Sequence, residues 1–158
     1  SLEVKADIVR NAIDLAIALG IVTPRVAILS AVETVTSKLR STLDAAALCK
    51  MADRGQIEGG ILDGPLAFDN AVSLAAARTK GIVSPVAGRA DILVAPDLES
   101  GNILAKQLEY FAGATAGGIV LGGRVPIILS SRADPLKSRV LSCAVAVLVA
   151  HACHVAAG

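Results

Sequence analysis

The stretch of this sequence with the most obvious chemistry is the polar segment at residues 130–134, where two serines, an arginine and an aspartate follow a short apolar run. An arginine beside serine hydroxyls can hold a tetrahedral oxyanion, because the guanidinium is a planar fork of donors and the hydroxyls add further donors. Ser131 and Arg132 therefore form a candidate phosphate site. The alternative is a capped helix start with a surface arginine, since serine and aspartate are common capping residues. The segment by itself favours that alternative.

Polar residues also follow three apolar runs that we predict to be strands. They are Ser30 with Glu33, Asp63-Gly64-Pro65, and Pro96-Asp97 followed by Gly101-Asn102. Open α/β sheets bind ligands beyond the carboxyl ends of their strands, so this pattern points to one ligand edge. For Asp63-Gly64-Pro65 the alternative of a plain turn stays open, because turns favour the same residue types.

The elements that must position these residues alternate between strand and helix along the chain. Short apolar runs predict strands at residues 25–29, 59–62, 91–95, 117–121 and 126–129. Helical patterns cover residues 3–19, 41–55, 68–79, 100–111 and the stretch from 135 onward. The last two strands are joined too tightly for a crossover, so we expect them to be antiparallel neighbours. The pattern predicts an α/β three-layer sandwich with a mostly parallel sheet and one antiparallel strand.

Composition narrows the range of partners. Hydrophobic residues make up 54% of the 158 residues and charged residues 18%, so we expect one domain that buries surface against a partner. The net charge is +1 and aromatic residues make up only 2%, which argues against nucleic acid as a partner. No Gly-x-Gly-x-x-Gly fingerprint of a dinucleotide site occurs.

Three widely spaced cysteines suggest no disulfide framework, and residues 1–7 lack the apolar core of a signal peptide, so we expect a cytoplasmic location. Residues 140–158 contain no charged side chain other than histidine and imitate a membrane span, but serine and many alanines favour a helix buried in protein. We therefore expect no membrane partner. His151 and His154 are three apart on this helix, yet no carboxylate accompanies them, and we expect no metal site.

Five motifs, taken together and in order, resemble the phosphate acetyltransferase and phosphate butyryltransferase family. They are Ser41-Thr42-Leu43-Asp44-Ala45-Ala46, Met51-Ala52-Asp53-Arg54-Gly55, Asp63-Gly64-Pro65-Leu66-Ala67, Pro96-Asp97-Leu98-Glu99-Ser100-Gly101-Asn102 and Ser131-Arg132-Ala133-Asp134. The resemblance covers nearly the whole chain. It is closest to the butyryltransferase-like branch, including the transferase half of fusions with an enoyl-CoA hydratase-type domain.

The resemblance implies a fold like that of isocitrate and isopropylmalate dehydrogenases, and reversible acyl transfer between acyl phosphate and the thiol of coenzyme A. It implies no metal and no cofactor, with coenzyme A, acyl phosphate and inorganic phosphate as partners. Apart from the resemblance, the high apolar fraction leads us to expect a homodimer or other homo-oligomer. Arg132 would neutralise the phosphoryl group, and Ser131 would donate a hydrogen bond to the thiol or acyl group. The residues expected to line the substrate cleft are Asp63, Gly64, Pro65, Pro96, Asp97, Gly101 and Asn102.

Two departures from the family pattern affect these expectations. The acetyltransferase branch has an aspartate seven residues after the serine, proposed as the base, where this chain has Ser138; Asp134 is the nearest carboxylate and the third candidate catalytic residue. The identity of the base stays open.

The second departure is length, because family members are about twice as long. We therefore expect residues 1–130 to be a coenzyme-A-side domain and residues 131–158 to be a helix returning toward a second domain absent from this chain. Apolar faces left uncovered would promote self-association. The alternative function is a non-catalytic binding or dimerisation fragment that is inactive without the missing amino-terminal half.

Overall fold

The structure is a computed structural model that describes residues 1–156, with side chains described for residues 1–153. The helices are α1 Leu2–Ala18, α2 Arg40–Asp53, α3 Phe68–Val72, α4 Leu74–Thr79, α5 Leu98–Tyr110 and α6 Leu136–Ala156. The strands are β1 Arg25–Leu29, β2 Ile61–Leu66, β3 Ile92–Val94, β4 Ile119–Val120 and β5 Ile127–Ile128.

The core of the chain is a parallel sheet in the order β2-β1-β3, with helices on both faces. Successive side chains of a strand point to opposite faces. Val26 and Ile28 of β1 accordingly pack with α1 and α2, whereas Ala27 and Leu29 pack with α3 and α4. The prediction of an α/β fold built on a mostly parallel sheet is confirmed, and the carboxyl ends of the three strands meet at one edge.

Helix α1 follows the predicted amphipathic pattern. Ser1 caps it by accepting a hydrogen bond from the amide of Val4 at 3.4 Å, and Gly20 follows its end with a φ of +97° that favours glycine. Its buried face consists of Ala6, Val9, Ile13 and Ala16.

The prediction that all five strands form one sheet with one antiparallel strand is wrong. Strands β4 and β5 are antiparallel neighbours, as predicted, but they form a separate two-stranded sheet. This hairpin packs on α6, where the amide of Gly118 donates to the hydroxyl of Ser142 at 2.9 Å. Apolar runs indicate that strands exist but not which sheet they join.

The interpretation of Asp63-Gly64-Pro65 as a turn after β2 is also wrong, because all three residues lie within that strand. Asp63 pairs with Ala27 of β1, and the register shifts before the next pair, Leu29 with Leu66. The Gly64–Pro65 peptide bond is cis. Proline lacks an amide donor, yet β2 is an edge strand, where proline is tolerated.

Two helix predictions need correction. The helix predicted over residues 68–79 is divided at Ser73, whose extended backbone lets its hydroxyl cap α4 by accepting from the amide of Ala76 at 3.3 Å. Helix α2, predicted over residues 41–55, spans Arg40–Asp53 and starts without a side-chain cap. The hydroxyl of Thr42 instead accepts from the amide of Thr36 at 2.9 Å and ties down the preceding loop.

Helices α5 and α6 lie largely on the surface of this chain. No residue of α5 is buried, and only 17% of the window Leu136–Cys153 in α6 is buried. Val140, Val147 and Leu148 remain exposed, so this chain by itself does not bury the last helix, and the prediction that the helix is buried in protein stays a prediction. By length and composition α6 is the one described helix that would be able to cross a membrane.

Candidate functional site

The predicted catalytic residues lie in the loop that joins β5 to α6. The amide of Ser131 donates a hydrogen bond to Oδ2 of Asp134 at 2.6 Å, and the amide of Asp134 donates to the carbonyl of Ser131 at 3.1 Å. The hydroxyl of Ser131 accepts from the amide of Ala133 at 3.4 Å. The structure therefore brings Ser131 and Asp134 together in a closed turn, with the exposed Arg132 between them.

The guanidinium of Arg132 has no hydrogen bond or ion pair with any described side chain. The backbone carbonyl of Arg132 accepts a weak hydrogen bond from Nη2 of Arg139 at 3.5 Å. This bond holds the main chain at Arg132, while the side chain extends into solvent. An exposed guanidinium beside a serine can bind a phosphate group through two parallel hydrogen bonds.

A cavity of about 280 Å³ opens beside this loop, between the end of α5 and the start of α6. Asp134 lines this cavity, and so does Ser138, which is only 3% exposed. Lys137 and Thr115 add an ammonium and a hydroxyl to the same wall. The cavity therefore combines donors for an anion with two carboxylates, Glu109 and Asp134, that can accept hydrogen bonds.

Four of the predicted cleft residues surround a second cavity, of about 580 Å³, between α1, β3 and α5. They are Pro96, Asp97, Gly101 and Asn102. Asp97 also caps α5, because its Oδ1 accepts hydrogen bonds from the amide and the hydroxyl of Ser100, both at 2.8 Å. These two bonds, the amide first, hold the pKa of Asp97 below its ordinary value. The walls are mostly apolar side chains of α1 and β3, with Lys5 at one side.

The two cavities lie at opposite ends of α5. This helix has 13 residues, so Asp97 at its cap and Tyr110 at its end are about 20 Å apart along the axis. A third, open cavity of about 320 Å³ lies beside α5 and includes Asn102 and Tyr110 in its wall. Within this chain the predicted residues therefore do not converge on one compact cleft.

The third predicted group, Asp63-Gly64-Pro65, lies in the edge strand of the sheet. Oδ1 of Asp63 accepts from the amide of Gly64 at 2.8 Å, and the carbonyl of Gly64 lies 3.7 Å from the thiol of Cys49. Burial, followed by the negative charge of Asp63, raises the pKa of Cys49 to about 12, so this thiol stays protonated and is a poor nucleophile near neutrality. No described contact joins this group to the loop at residues 131–134, and its binding role stays a prediction.

Sequence reasoning missed an ion-pair network at the carboxyl edge of the sheet. Nζ of Lys80 lies 2.6 Å from Oε1 of Glu33 and 3.0 Å from Oδ2 of Asp69. The Nδ2 group of Asn70 also donates to Glu33, while its own Oδ1 is buried without a partner among the described residues. The hydrogen bond from Lys80 holds the pKa of Glu33 below its ordinary value, so Glu33 is ill suited to act as a base. The sequence by itself points only to Ser30 and Glu33, because no motif in it links Lys80 to Glu33.

A second ion pair, also missed, joins α1 to the start of α2. The carboxylate of Asp44, which is 7% exposed, accepts from Nζ of Lys5 at 2.9 Å and from Nε of Arg40 at 2.8 Å. Burial is the largest single influence on Asp44 and would raise its pKa, but the bonds from Arg40 and Lys5 together lower it below its ordinary value. Asp44 is thus an ionised structural group.

Within the described side chains no group of three or more histidine, cysteine, aspartate or glutamate residues is placed to hold a metal ion. His151 lines a cavity of about 630 Å³ between the ends of α1 and α6, together with Cys153. The side chain of His154, the other member of the histidine pair considered in the sequence, lies outside the described residues.

Comparison with known proteins places this arrangement in a family. Residues 1–147 match the family described as "Phosphate acetyl/butaryl transferase". A phosphate acetyltransferase of Rhizobium meliloti is 67% identical over 149 residues, which make up 94% of this chain and 47% of that protein. A phosphate butyryltransferase of Clostridium beijerinckii is 49% identical over 146 residues, or 92% of this chain and 48% of that protein.

A solved structure supports the same relationship. The crystal structure of a branched-chain phosphotransacylase from Enterococcus faecalis V583 superposes with a TM-score of 0.86 at 35% identity and covers 96% of this chain and 54% of that one. The chain thus spans about half the length of the relatives it matches. Both acetyl- and butyryltransferases occur among these relatives, so their names do not decide between the two branches. The resemblance predicted from the five motifs is confirmed: this chain belongs to the phosphate acetyl/butyryl transferase family.

Proposed function

We propose that this chain carries part of a phosphate acyltransferase that moves an acetyl or butyryl group between acyl phosphate and coenzyme A. In one direction the thiolate sulfur of coenzyme A attacks the acyl carbonyl carbon. A carbon–sulfur bond forms, the bond from that carbon to the phosphate oxygen breaks, and inorganic phosphate leaves. The thiol proton passes to a base. No atom in this scheme changes its oxidation state, and we propose that coenzyme A serves as a substrate with no further cofactor.

The residues proposed for this chemistry are those of the loop before α6. Arg132 would pair with the phosphate oxygens as negative charge develops on the leaving group, which is where electrostatic stabilisation acts most strongly. Ser131 would donate a hydrogen bond to the thiol or to the acyl oxygen. Pro96, Asp97, Gly101 and Asn102 would line the coenzyme-A side, and Asp63, Gly64 and Pro65 would contribute from β2.

One observation carries this proposal beyond family membership. Ser131 and Arg132 are both exposed in a turn closed by Asp134, and the Arg132 guanidinium is unpaired within the described structure. Arg25, by contrast, is engaged by Asp91 through Nε at 2.9 Å and Nη2 at 3.0 Å. The loop thus presents a cation without a protein partner beside a hydroxyl donor.

The test is loss of free thiol in mixtures of coenzyme A with acetyl or butyryl phosphate, measured for this chain and for Arg132→Ala. We expect turnover by the unaltered chain, reduced by about 100-fold or more in the variant, as when a donor to a developing oxyanion is removed. The matched control is Arg78→Ala, because Arg78 is an exposed arginine of α4 on the far face of the sheet. Equal loss in both variants would contradict a specific role for Arg132.

The alternative, a binding or dimerisation fragment, would show no turnover at all while still binding coenzyme A. Residues 1–147 match the transferase family throughout, which favours the enzyme. We further propose that the whole protein has a fold like that of isocitrate and isopropylmalate dehydrogenases, works in the cytoplasm and forms a homo-oligomer. The exposed apolar residues of α6 support the last of these proposals.

A further inference from the structure

We propose that Asp134 is a positioning residue that holds Ser131 and Arg132 in place, and that it is not the group that accepts the thiol proton. This inference rests on the proposed function and deepens it. It separates two roles that the sequence left open for the same carboxylate.

Asp134 already uses one carboxylate oxygen within the loop. Its Oδ2 accepts a hydrogen bond from the amide of Ser131 at 2.6 Å, a short bond of the charge-assisted kind. This contact closes the turn across residues 131–134 and directs that oxygen at the main chain of the loop. The geometry therefore favours a structural use of this carboxylate.

The contact between Asp134 and Ser131 is also reciprocal. The amide of Asp134 donates back to the carbonyl of Ser131 at 3.1 Å, so both polar groups of the Ser131 main chain are bound by one residue. Arg132 lies inside the resulting turn, and its carbonyl is approached by Nη2 of Arg139 at 3.5 Å. Asp134, just before α6, and Arg139, in the first turn of α6, thus hold the loop from two sides and leave the Arg132 side chain exposed.

The loop at residues 131–134 needs these contacts to keep its shape. The segment is exposed and follows a strand of only two residues, Ile127–Ile128, so little else restrains it. A displacement of about 1 Å in a positioned group can lower a rate about 100-fold. An unrestrained turn would leave the guanidinium free to move by more than this distance.

The experiment compares Asp134→Asn with Asp134→Ala. Asparagine keeps a side-chain oxygen that can accept from the Ser131 amide but cannot act as a base near neutrality, whereas alanine loses both properties. We expect Asp134→Ala to lower kcat about 100-fold with the KM for coenzyme A nearly unchanged, and Asp134→Asn to recover to within about tenfold of the unaltered chain. The pH dependence of kcat should keep its shape in Asp134→Asn. Equal loss in both variants, with the acidic limb of the pH profile gone, would make Asp134 the base and overturn the inference.

A second measurement needs no turnover and therefore separates failure of this inference from failure of the proposed function. Hydrogen exchange of the Ser131 amide, followed by NMR without substrate, should quicken about tenfold or more in Asp134→Ala and stay slow in Asp134→Asn. The control is Asp7→Ala, which removes an exposed carboxylate paired with Arg10 on α1. If the unaltered chain has no turnover but shows this pattern, only the proposed function fails. An exchange rate that is the same in all variants would refute the positioning role.

Discussion

Lys80 and Glu33 are in contact although 47 positions separate them in the sequence, with Nζ of Lys80 2.6 Å from Oε1 of Glu33. This pair fastens the loop after β1 to the segment that follows α4. Asp69 shares the same ammonium at 3.0 Å, so one lysine holds two carboxylates.

Replacing Lys80 with methionine should destabilise the fold and flatten its dependence on pH. The hydrogen bond from Lys80 lowers the pKa of Glu33, so its stabilisation is present above about pH 4.3, the ordinary value for glutamate, and is lost as the pH falls through the lower folded value. The bonds to Glu33 and then Asp69 raise the pKa of Lys80, so that contribution is lost only as the pH rises above about 10.4.

Urea unfolding of the unaltered chain and of Lys80→Met at pH 7 measures the loss of stability. The same comparison at pH 3 measures how far the pH dependence is flattened. The control is Lys50→Met, because Lys50 forms an exposed pair with Asp53 that should contribute little. If Lys80→Met loses as much stability between pH 7 and pH 3 as the unaltered chain does, the Lys80 network does not cause the loss of stability in acid.

Gly64→Ala should destabilise the sheet by about 1–3 kcal/mol, because an added methyl group has no room. A Cβ atom at this position would lie 2.7 Å from the carbonyl oxygen and 2.8 Å from the Cβ of Ile28 in the neighbouring strand. Gly123→Ala is the comparison, since its Cβ would meet only the carbonyl of Val125 at 3.3 Å in an exposed turn. Unfolding midpoints in urea that shift equally for both variants would contradict the crowding argument.

Leu48→Ala should cost about 2–5 kcal/mol of unfolding free energy, since Leu48 is fully buried between α2 and the sheet and its truncation leaves a cavity. Leu43 lies on the same helix but is 40% exposed, so Leu43→Ala should cost far less. Thermal and urea unfolding of the two variants provide the comparison. Similar costs would mean that the packing of α2 differs from the arrangement described.

The exposed face of α6 should mediate association of the chain in solution. Val140 and Val147 are 59% and 67% exposed on a helix that lacks acidic residues over most of its length, and surfaces of this kind pair with one another. Light scattering should give a mass above that of the monomer, and Val147→Lys should lower it. Val83→Lys alters a fully exposed valine in a loop away from α6 and should leave the mass unchanged. A monomer at all concentrations would refute this prediction.

The sequence predicts best those features that depend on neighbouring residues. Strand β1 has the predicted bounds because its apolar run lies between Pro24 and Ser30, and α1 matches its helical pattern almost to the residue. Strand β2 was misjudged because proline is acceptable at a sheet edge, and only the assembled sheet reveals which strand is at the edge. The break at Ser73 depends on a local cap that competes with a continuous helix.

The candidate site shows the same division. The turn formed by Ser131 and Asp134 lies within four residues of sequence and was singled out from it, although its hydrogen bonds were not foreseen. The contact of Lys80 with Glu33 and that of Lys5 with Asp44 join residues far apart in the chain, and no short motif signals either of them. The expectation of one ligand edge concerned only the polar groups that follow β1, β2 and β3, and it gave no indication that α5 separates Asp97 from Asp134.

Helix α5 also sets the distance between two cavities. Its 13 residues hold the cavity beside Asp97 and the cavity beside Asp134 at opposite ends, about 20 Å apart. A compact molecule such as an acyl phosphate can occupy one end only. A single ligand that reaches both must be elongated, with its recognised portion far from its reacting atom. Shortening it would remove binding energy that supports the reaction at the other end, so its turnover should fall as well as its affinity.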